Sequence, residues 1–218
     1  MHVFEQSFVG EINYLKVAND LKTKGYSVIH HAFAADIEDA LLHYVLQLDT
    51  EQFQEAAIGR SEQQTINQFV RSDEIRWIDH QQPTESLWLT QMEKIRTELN
   101  RLLFLGLFSY ESHFACYQPG AFYKKHVDAF KGQANRLLST VYYLNPNWQP
   151  EEGGELVMYD PEQPEHKLFD VSPTLGTLVI FLSEEFPHEV LPALRKRHSI
   201  AGWFRINNSI GDQIDPPR

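Results

Sequence analysis

The sequence predicts a mainly β protein of the α+β kind, a β-sandwich or jelly roll whose strands fill the second half and whose helices, from the first half, buttress one sheet. Three observations predict it. Apolar residues recur at helical spacing over the first half, short β-branched and aromatic runs separated by turn signals fill the second, and no linker, internal repeat or low-complexity tract divides them. A single domain over residues 1–218 is therefore expected, with 1–110 as mostly helical support, 111–206 as the strand core and 207–218 as a loose tail containing Pro216 and Pro217.

The helices come first. A short one around Leu15 to Leu21 ends at Gly25, a residue able to take the left-handed conformation of a helix end, and Tyr26 to Ile29 then reads as a strand. Ile37, Leu41, Val45 and Leu48 form one helical stripe after Asp36; Trp88, Met92, Ile95, Leu99 and Leu102 form another after the start signal Pro83-Thr84. Both read as core-facing packing stripes. Between them, Glu51 to Gln68 is polar and reads as a loop or irregular segment. The strands follow as His113 to Tyr117, Leu138 to Leu144, Glu155 to Tyr159, Leu178 to Leu182 and Ser199 to Arg205. Turn signals punctuate them at Gln118-Pro119-Gly120, Asn145-Pro146-Asn147 and Gly153-Gly154.

Composition narrows the function. The apolar content of 42% supports an ordinary core, and a net charge of -11 argues against a nucleic-acid partner, whose phosphates demand clustered Lys and Arg. The single cysteine, Cys116, permits no internal disulfide and, flanked by Phe114, Ala115 and Tyr117, reads as a buried strand thiol. No stretch is long and apolar enough to span a membrane, and Met1 to Ile12 lack the basic start and apolar run of a signal peptide. The expectation is a soluble cytoplasmic protein with no membrane partner; its oligomeric state is not legible.

Chemistry enters at His126-Val127-Asp128. In an extended strand residues two apart share a face, so this imidazole and carboxylate can share a metal. Two imidazoles and one carboxylate make the facial triad that leaves half of an octahedral iron's positions open. His188, within Phe186-Pro187-His188-Glu189-Val190, is the best third ligand, since it precedes the last strand and a jelly roll can bring it back. An H-x-D triplet alone is a weak motif. Of the other histidines, His30, His31, His43, His80, His113, His166 and His198 read as solvent-facing or hydrogen-bonded. Arg197, nine positions after His188, raises the signal: alternation places Arg197, Ser199, Ala201 and Trp203 on one strand face. A guanidinium inside a barrel beside three ligands calls for an anionic co-substrate.

On these residues and six further segments the chain resembles the 2-oxoglutarate oxygenases, and within them the prolyl hydroxylases that act on hypoxia-inducible factor and their compact bacterial relatives. The segments run from Arg71 to Ile78, Ala115 to Gly120, Tyr123 to Asp128, Val141 to Asn145, Gly153 to Leu156 and Pro187 to Ala193, and Arg197 to Phe204 continues the last. The resemblance extends in order from about Leu15 to Phe204.

The resemblance implies a double-stranded β-helix core, iron(II) on His126, Asp128 and His188, and 2-oxoglutarate and dioxygen as co-substrates with ascorbate as reductant. Arg197 would pair with the distal carboxylate of 2-oxoglutarate, Tyr143 would donate to it, Leu156 would line that pocket and Tyr117 would sit near iron and co-substrate. Trp203 would form the floor for a prolyl ring with Tyr123 close by, and Arg136 would look over the peptide groove. Tyr142, Trp148 and Phe204 read as ordinary core. The implied reaction is hydroxylation of a prolyl residue, at C4, in a protein, with 2-oxoglutarate decarboxylated to succinate; compact bacterial members suggest a translation elongation factor as partner.

Two departures bear on this. Ala201 stands where the animal enzymes carry threonine, leaving Ser199 to supply a hydroxyl, and the loop Ala129 to Asn135 differs in sequence and length, which bears on substrate choice. Two other readings stay open: an oxygenase of free proline or another small metabolite, and a catalytically idle sensor of iron and 2-oxoglutarate. A zinc hydrolase on the same ligands has no use for a buried Arg197.

Overall fold

The computed structural model describes residues 10–56, 70–129 and 135–207. Helix α1 (Tyr14–Lys24) starts where the Asn13 side chain accepts from the Lys16 N–H at 3.0 Å and stops where Gly25, at φ 79°, turns left-handed and returns its N–H to the Leu21 carbonyl. Strand β1 (Tyr26–Ile29) follows at once. Helix α2 is Ala35–Gln47; helix α3, Pro83–Leu103, begins with proline at its first turn, where the missing N–H has no partner to lose. Strands β2 (Gln54–Glu55) and β3 (Glu74–Trp77) lie between these helices. Then come β4 (Leu107–Tyr117), β5 (Tyr123–His126), β6 (Arg136–Tyr143), β7 (Leu156–Tyr159), β8 (Lys167–Val171), β9 (Leu178–Leu182), β10 (His188–Val190) and β11 (Arg197–Ile206).

The strands form two antiparallel sheets. One has seven strands in the order β1-β9-β6-β11-β4-β3-β2, the other four in the order β5-β10-β7-β8. This is the mainly β jelly roll with helical support that the patterning predicts.

Strand parity builds two cores from the large sheet. Phe114, Tyr142, Ile180, Ile200 and Phe204 face the helices and pack with Val17, Leu41, Trp88, Met92 and Leu99. Their neighbours Ala115, Tyr143 and Phe181 point the other way and pack with Leu156, Met158, Phe186 and Val190 of the small-sheet side. Both faces are apolar, so the strands read as continuous hydrophobic runs rather than clean alternation. Truncating a side chain as buried as Phe114 or Trp88 costs about 3–5 kcal/mol. Tyr142, Trp148 and Phe204 are buried core residues, and Cys116 is a buried strand thiol whose pKa burial pushes up to about 11.

Polar anchors tie the helices to the strands. The Trp88 indole donates to Ser112 at 3.1 Å, and the buried Glu85 of α3 receives Arg76 of β3, the Tyr44 hydroxyl of α2 at 2.6 Å and the Asp79 N–H at 2.9 Å.

Strands β2, β3, β8 and β10 were not legible in the sequence, and β5 only as the extended setting expected for His126. They are two to five residues long, and Tyr123-Lys-Lys-His and Lys167-Leu-Phe-Asp-Val bury little, so their apolar pattern is faint. Strand β4 starts at Leu107 rather than at His113, because β11 pairs with it along its whole length, from Arg197 opposite Tyr117 to Ile206 opposite Leu107. In the segment Glu51 to Gln68, a 3₁₀ turn (Thr50–Gln52) and β2 replace the expected irregular chain, and residues 57–68 lie outside the described residues, as do 1–9, most of the Ala129 to Asn135 loop and the tail from 208. Among the described residues no helix is long and apolar enough to cross a membrane.

Candidate active site

Strand pairing, rather than sequence proximity, assembles the histidines. In the small sheet β5 and β10 are antiparallel neighbours, with His126 directly opposite His188, and their rings lie 4.3 Å apart. Asp128 follows two residues after His126 but beyond the end of β5, in a bend. This corrects the expectation of an H-x-D triplet lying in one extended strand: the carboxylate is brought back by the turn, with its oxygens 3.6 Å from His126 Nε2 and 3.8 Å from His188 Nε2. His188 is carried by its own short strand, β10, which the jelly roll brings back beside β5 in the small sheet. Among the described residues, His126, Asp128 and His188 form the one group of three or more such side chains whose donor atoms lie within 4.8 Å of each other.

The surroundings prepare these groups for a cation. His126 Nδ1 lies 2.8 Å from the Lys124 carbonyl and His188 Nδ1 2.9 Å from the Phe186 carbonyl. A carbonyl only accepts, so each Nδ1 carries a proton, which leaves Nε2 as the atom that can meet a cation. Burial pushes His188 down to about 4, with the neighbouring His126 adding to the effect, so His188 is neutral near pH 7. Burial opposes ionisation of Asp128, but His188, His126 and a 2.6 Å hydrogen bond donated by Ser139 prevail and hold its carboxyl well below the usual range. Two imidazoles and one carboxylate fit a ferrous ion with open positions.

The inner face of the large sheet continues the site in rungs. Arg197 of β11 pairs with Tyr117 of β4; next, Ser199 lies between Tyr143 of β6 and Ala115 of β4. Then Ala201 lies between Val141 and His113, with Trp77 of β3 beyond. Last, Trp203 lies between Ser139 and Glu111. Arg197 is 1% exposed, and among the described residues its Nε, Nη1 and Nη2 have no hydrogen-bond partner; the Tyr117 and Tyr143 rings flank it, at 4.8 and 5.0 Å. The Tyr143 hydroxyl is equally partnerless, and burial pushes it up to about 12 despite the nearby guanidinium. A buried guanidinium beside a protonated phenol is a receptor for a carboxylate. Leu156 and Ser199 are buried on the same side, and Gly154, at φ 77°, packs closely there: a Cβ would sit 2.9 Å from Ala193 Cβ and 3.3 Å from Arg197 Cδ. The residues present fit 2-oxoglutarate.

The remaining predicted positions are Trp203, Arg136 and Tyr123. Trp203 is buried with its Nε1 unpartnered, and the Arg136 guanidinium lies 3.6 Å over its ring while paired with Glu111 at 2.8 Å. Tyr123 stacks on His126.

Several residues of the site were missed. Ser139 shares parity with Val141 and Tyr143, a signal that was available. Arg71 and Asp73 were within a resembling segment but given no role; they form a buried ion pair beside Tyr123. His113 and His198 correct an expectation: they are buried, at 3% and 7% exposure, with Nδ1 unpartnered, rather than solvent-facing or hydrogen-bonded. His30 does bond, to Thr177 at 3.2 Å, and His31, His43, His80 and His166 are exposed.

Fold and site together define an iron- and 2-oxoglutarate-binding oxygenase class, and comparison with known proteins agrees. The profile of the 2OG-Fe(II) oxygenase superfamily matches residues 112–205. A Pseudomonas putida prolyl-4-hydroxylase of known structure is 41% identical, with a TM-score of 0.80 over 89% of this chain and 100% of that one. A Trichoplax adhaerens prolyl hydroxylase, solved with a peptide fragment of the hypoxia-inducible factor oxygen degradation domain, is 28% identical, with a TM-score of 0.76 over 88% of each chain. Egl nine homolog 1 of Homo sapiens is 31% identical over 144 residues, 62% of this chain, and the chain spans 33% of that relative's length. The chain belongs to the 2OG-Fe(II) oxygenase superfamily, whose reactions use Fe(II), 2-oxoglutarate and dioxygen.

Proposed function

We propose that the protein hydroxylates a prolyl residue, at C4 of the ring, within a protein substrate. The observation that carries the oxygenase half of this reading is Arg197, a buried guanidinium with three unpartnered nitrogens on the same sheet face as Ser139, which holds Asp128. The prolyl half is supported by Trp203, buried on the same sheet face as Arg197, and by the prolyl hydroxylases among the relatives.

His126, Asp128 and His188 hold the iron in this reading. When bound, iron with 2-oxoglutarate and dioxygen supplies the oxidising power, one oxygen atom entering the substrate and the other the succinate left by decarboxylation. The chain's residues supply geometry. Arg197 and Tyr143 fix the distal carboxylate, with Ser199 as a further hydroxyl, and Leu156 and Tyr117 keep water from the co-substrate. Ser139 aims Asp128, and the Lys124 and Phe186 carbonyls set the tautomers of the two imidazoles. Trp203 offers the prolyl ring an apolar floor, stiffened by Arg136. Ascorbate as the reductant, a cytoplasmic setting and a translation elongation factor as the first partner to test complete the proposal; the buried free thiol and the bacterial resemblance support them.

The test incubates purified protein with Fe(II), ascorbate, labelled 2-oxoglutarate and cell extract, following succinate and proline-borne oxygen by mass spectrometry. Succinate release coupled to a hydroxylated prolyl peptide is expected. Coupling to free proline alone points to the metabolite reading, and no succinate with extract present points to a sensor.

A further inference from the structure

His113 is a buried imidazole that the roles assigned above leave unused. Its rung on the large sheet lies between the one carrying Ser199 and Tyr143 and the one carrying Trp203 and Ser139, roughly 7 Å from each along the strands. It therefore stands between the co-substrate anchor and the substrate floor. Its ring packs against Trp77 at 5.1 Å and Trp203 at 5.5 Å. It is 3% exposed and its Nδ1 has no hydrogen-bond partner. Burial pushes its pKa down to about 3, and Arg71 and Arg136 add to the effect, so the ring is neutral. Packing against two indoles needs no ring nitrogen, and burying an unsatisfied one costs stability that a methionine or phenylalanine would not.

Trp203 Nε1, on the next rung, is also buried and unpartnered among the described residues, so two enclosed polar atoms lie unused beside the proposed resting place of the prolyl ring. A prolyl ring is apolar and its residue has no N–H, so its polar handles are the flanking amides. Free proline offers an ammonium and a carboxylate instead, charges that a neutral buried imidazole does not offset.

We propose that His113 determines specificity: its Nδ1 hydrogen-bonds the substrate main chain beside the prolyl ring, so the pocket accepts proline within a peptide and rejects the free amino acid. This rests on the prolyl hydroxylase reading above.

Wild type, His113→Met and His113→Gln are assayed with Fe(II) and 2-oxoglutarate against a library of N-acetylated, C-amidated prolyl pentapeptides and against free L-proline. Anisotropy of a fluorescein-labelled copy of the best peptide on metal-free protein measures binding without turnover. His113→Met should raise peptide KM and Kd about tenfold, leave the 2-oxoglutarate KM within about twofold and release more succinate per hydroxyproline, whereas His113→Gln should recover most of the loss. If His113→Met does not fold, His113→Phe replaces it. An unchanged peptide KM, a rise in the 2-oxoglutarate KM alone, or equal losses in both variants accompanied by lower melting temperatures overturns the role of His113 and leaves the prolyl reading standing. A wild type that turns over 2-oxoglutarate yet hydroxylates none of the peptides overturns both.

Discussion

Tyr123 stacks on His126, ring centroids 3.6 Å apart and planes 16° apart, and the Arg71 guanidinium lies 4.4 Å over the same tyrosine. Arg71 in turn grips Asp73 through two hydrogen bonds of 2.7 and 2.6 Å, with the Asp73 side chain fully buried. The orientation of a candidate iron ligand thus depends on an ion pair two residues removed from it in the contact chain. Asp73→Ala should leave Arg71 buried and unpaired and cost about 3 kcal/mol of stability. Tyr123→Leu should spare most of that stability but weaken Fe(II) binding about tenfold. Thermal denaturation and anaerobic metal titration read the two effects separately.

Arg197→Met is expected to separate stability from function. Without 2-oxoglutarate the buried guanidinium has no hydrogen-bonded partner, so an apolar side chain of similar length should raise the melting temperature of the metal-free protein. The same change should raise the 2-oxoglutarate KM by about a hundredfold or more, because a charged, two-pronged contact is lost. A variant that melts lower and keeps its KM would show that Arg197 is structural.

Ser139→Ala tests the support of Asp128. It removes the 2.6 Å hydrogen bond to the carboxylate and a 2.9 Å contact with Ser183, both inside the protein. Fe(II) affinity should fall about tenfold while the 2-oxoglutarate KM measured at saturating iron stays near wild type. Asp128→Ala, by contrast, should abolish Fe(II) binding in the same titration.

Stability should fall in mild acid. Burial holds His113 at about 3 and His198 at about 4 in the folded protein, below the ordinary 6.5. Between those values the unfolded chain binds the extra protons, so stability is full above about pH 6.5 and declines as pH drops towards 4. Each histidine contributes a slope of about 1.4 kcal/mol per pH unit over that window. In metal-free protein His188 adds to it with the same sign. Chemical denaturation at pH 7, 5.5 and 4.5 should show the decline, and His198→Leu should make it shallower; a flat profile would count against the buried, neutral imidazoles.

The fold class was legible because two signals were strong: the 3.6-residue stripe of Trp88, Met92, Ile95 and Leu99, and the aromatic runs around Tyr142 and Phe181. Length was less legible for β4, because its first half, Leu107 to Ser112, gains strand character only from pairing with β11. The triad residues were legible as a set through the H-x-D triplet and the company of Arg197, but their geometry was not: a bend, not strand alternation, returns Asp128. His113 escaped notice because the sequence gives no sign of an imidazole buried between two tryptophans that come from β3 and β11. Asp73 escaped for a related reason, since only the fold shows that its carboxylate is fully enclosed by a partner two residues away.

The layout on β11 places a constraint on how this protein can diverge. Arg197 and Trp203, the proposed carboxylate receptor and indole floor, are odd-numbered residues of one ten-residue strand, while even-numbered Ile200 and Phe204 fill the helix-facing core. Point substitutions can retune single rungs independently. An inserted or deleted residue between 197 and 203 would instead put residues of the two layers on opposite faces, sending the guanidinium or the indole into the helical core. Lineages of this enzyme should therefore vary β11 by exchange and never by length, leaving changes of length to the loops.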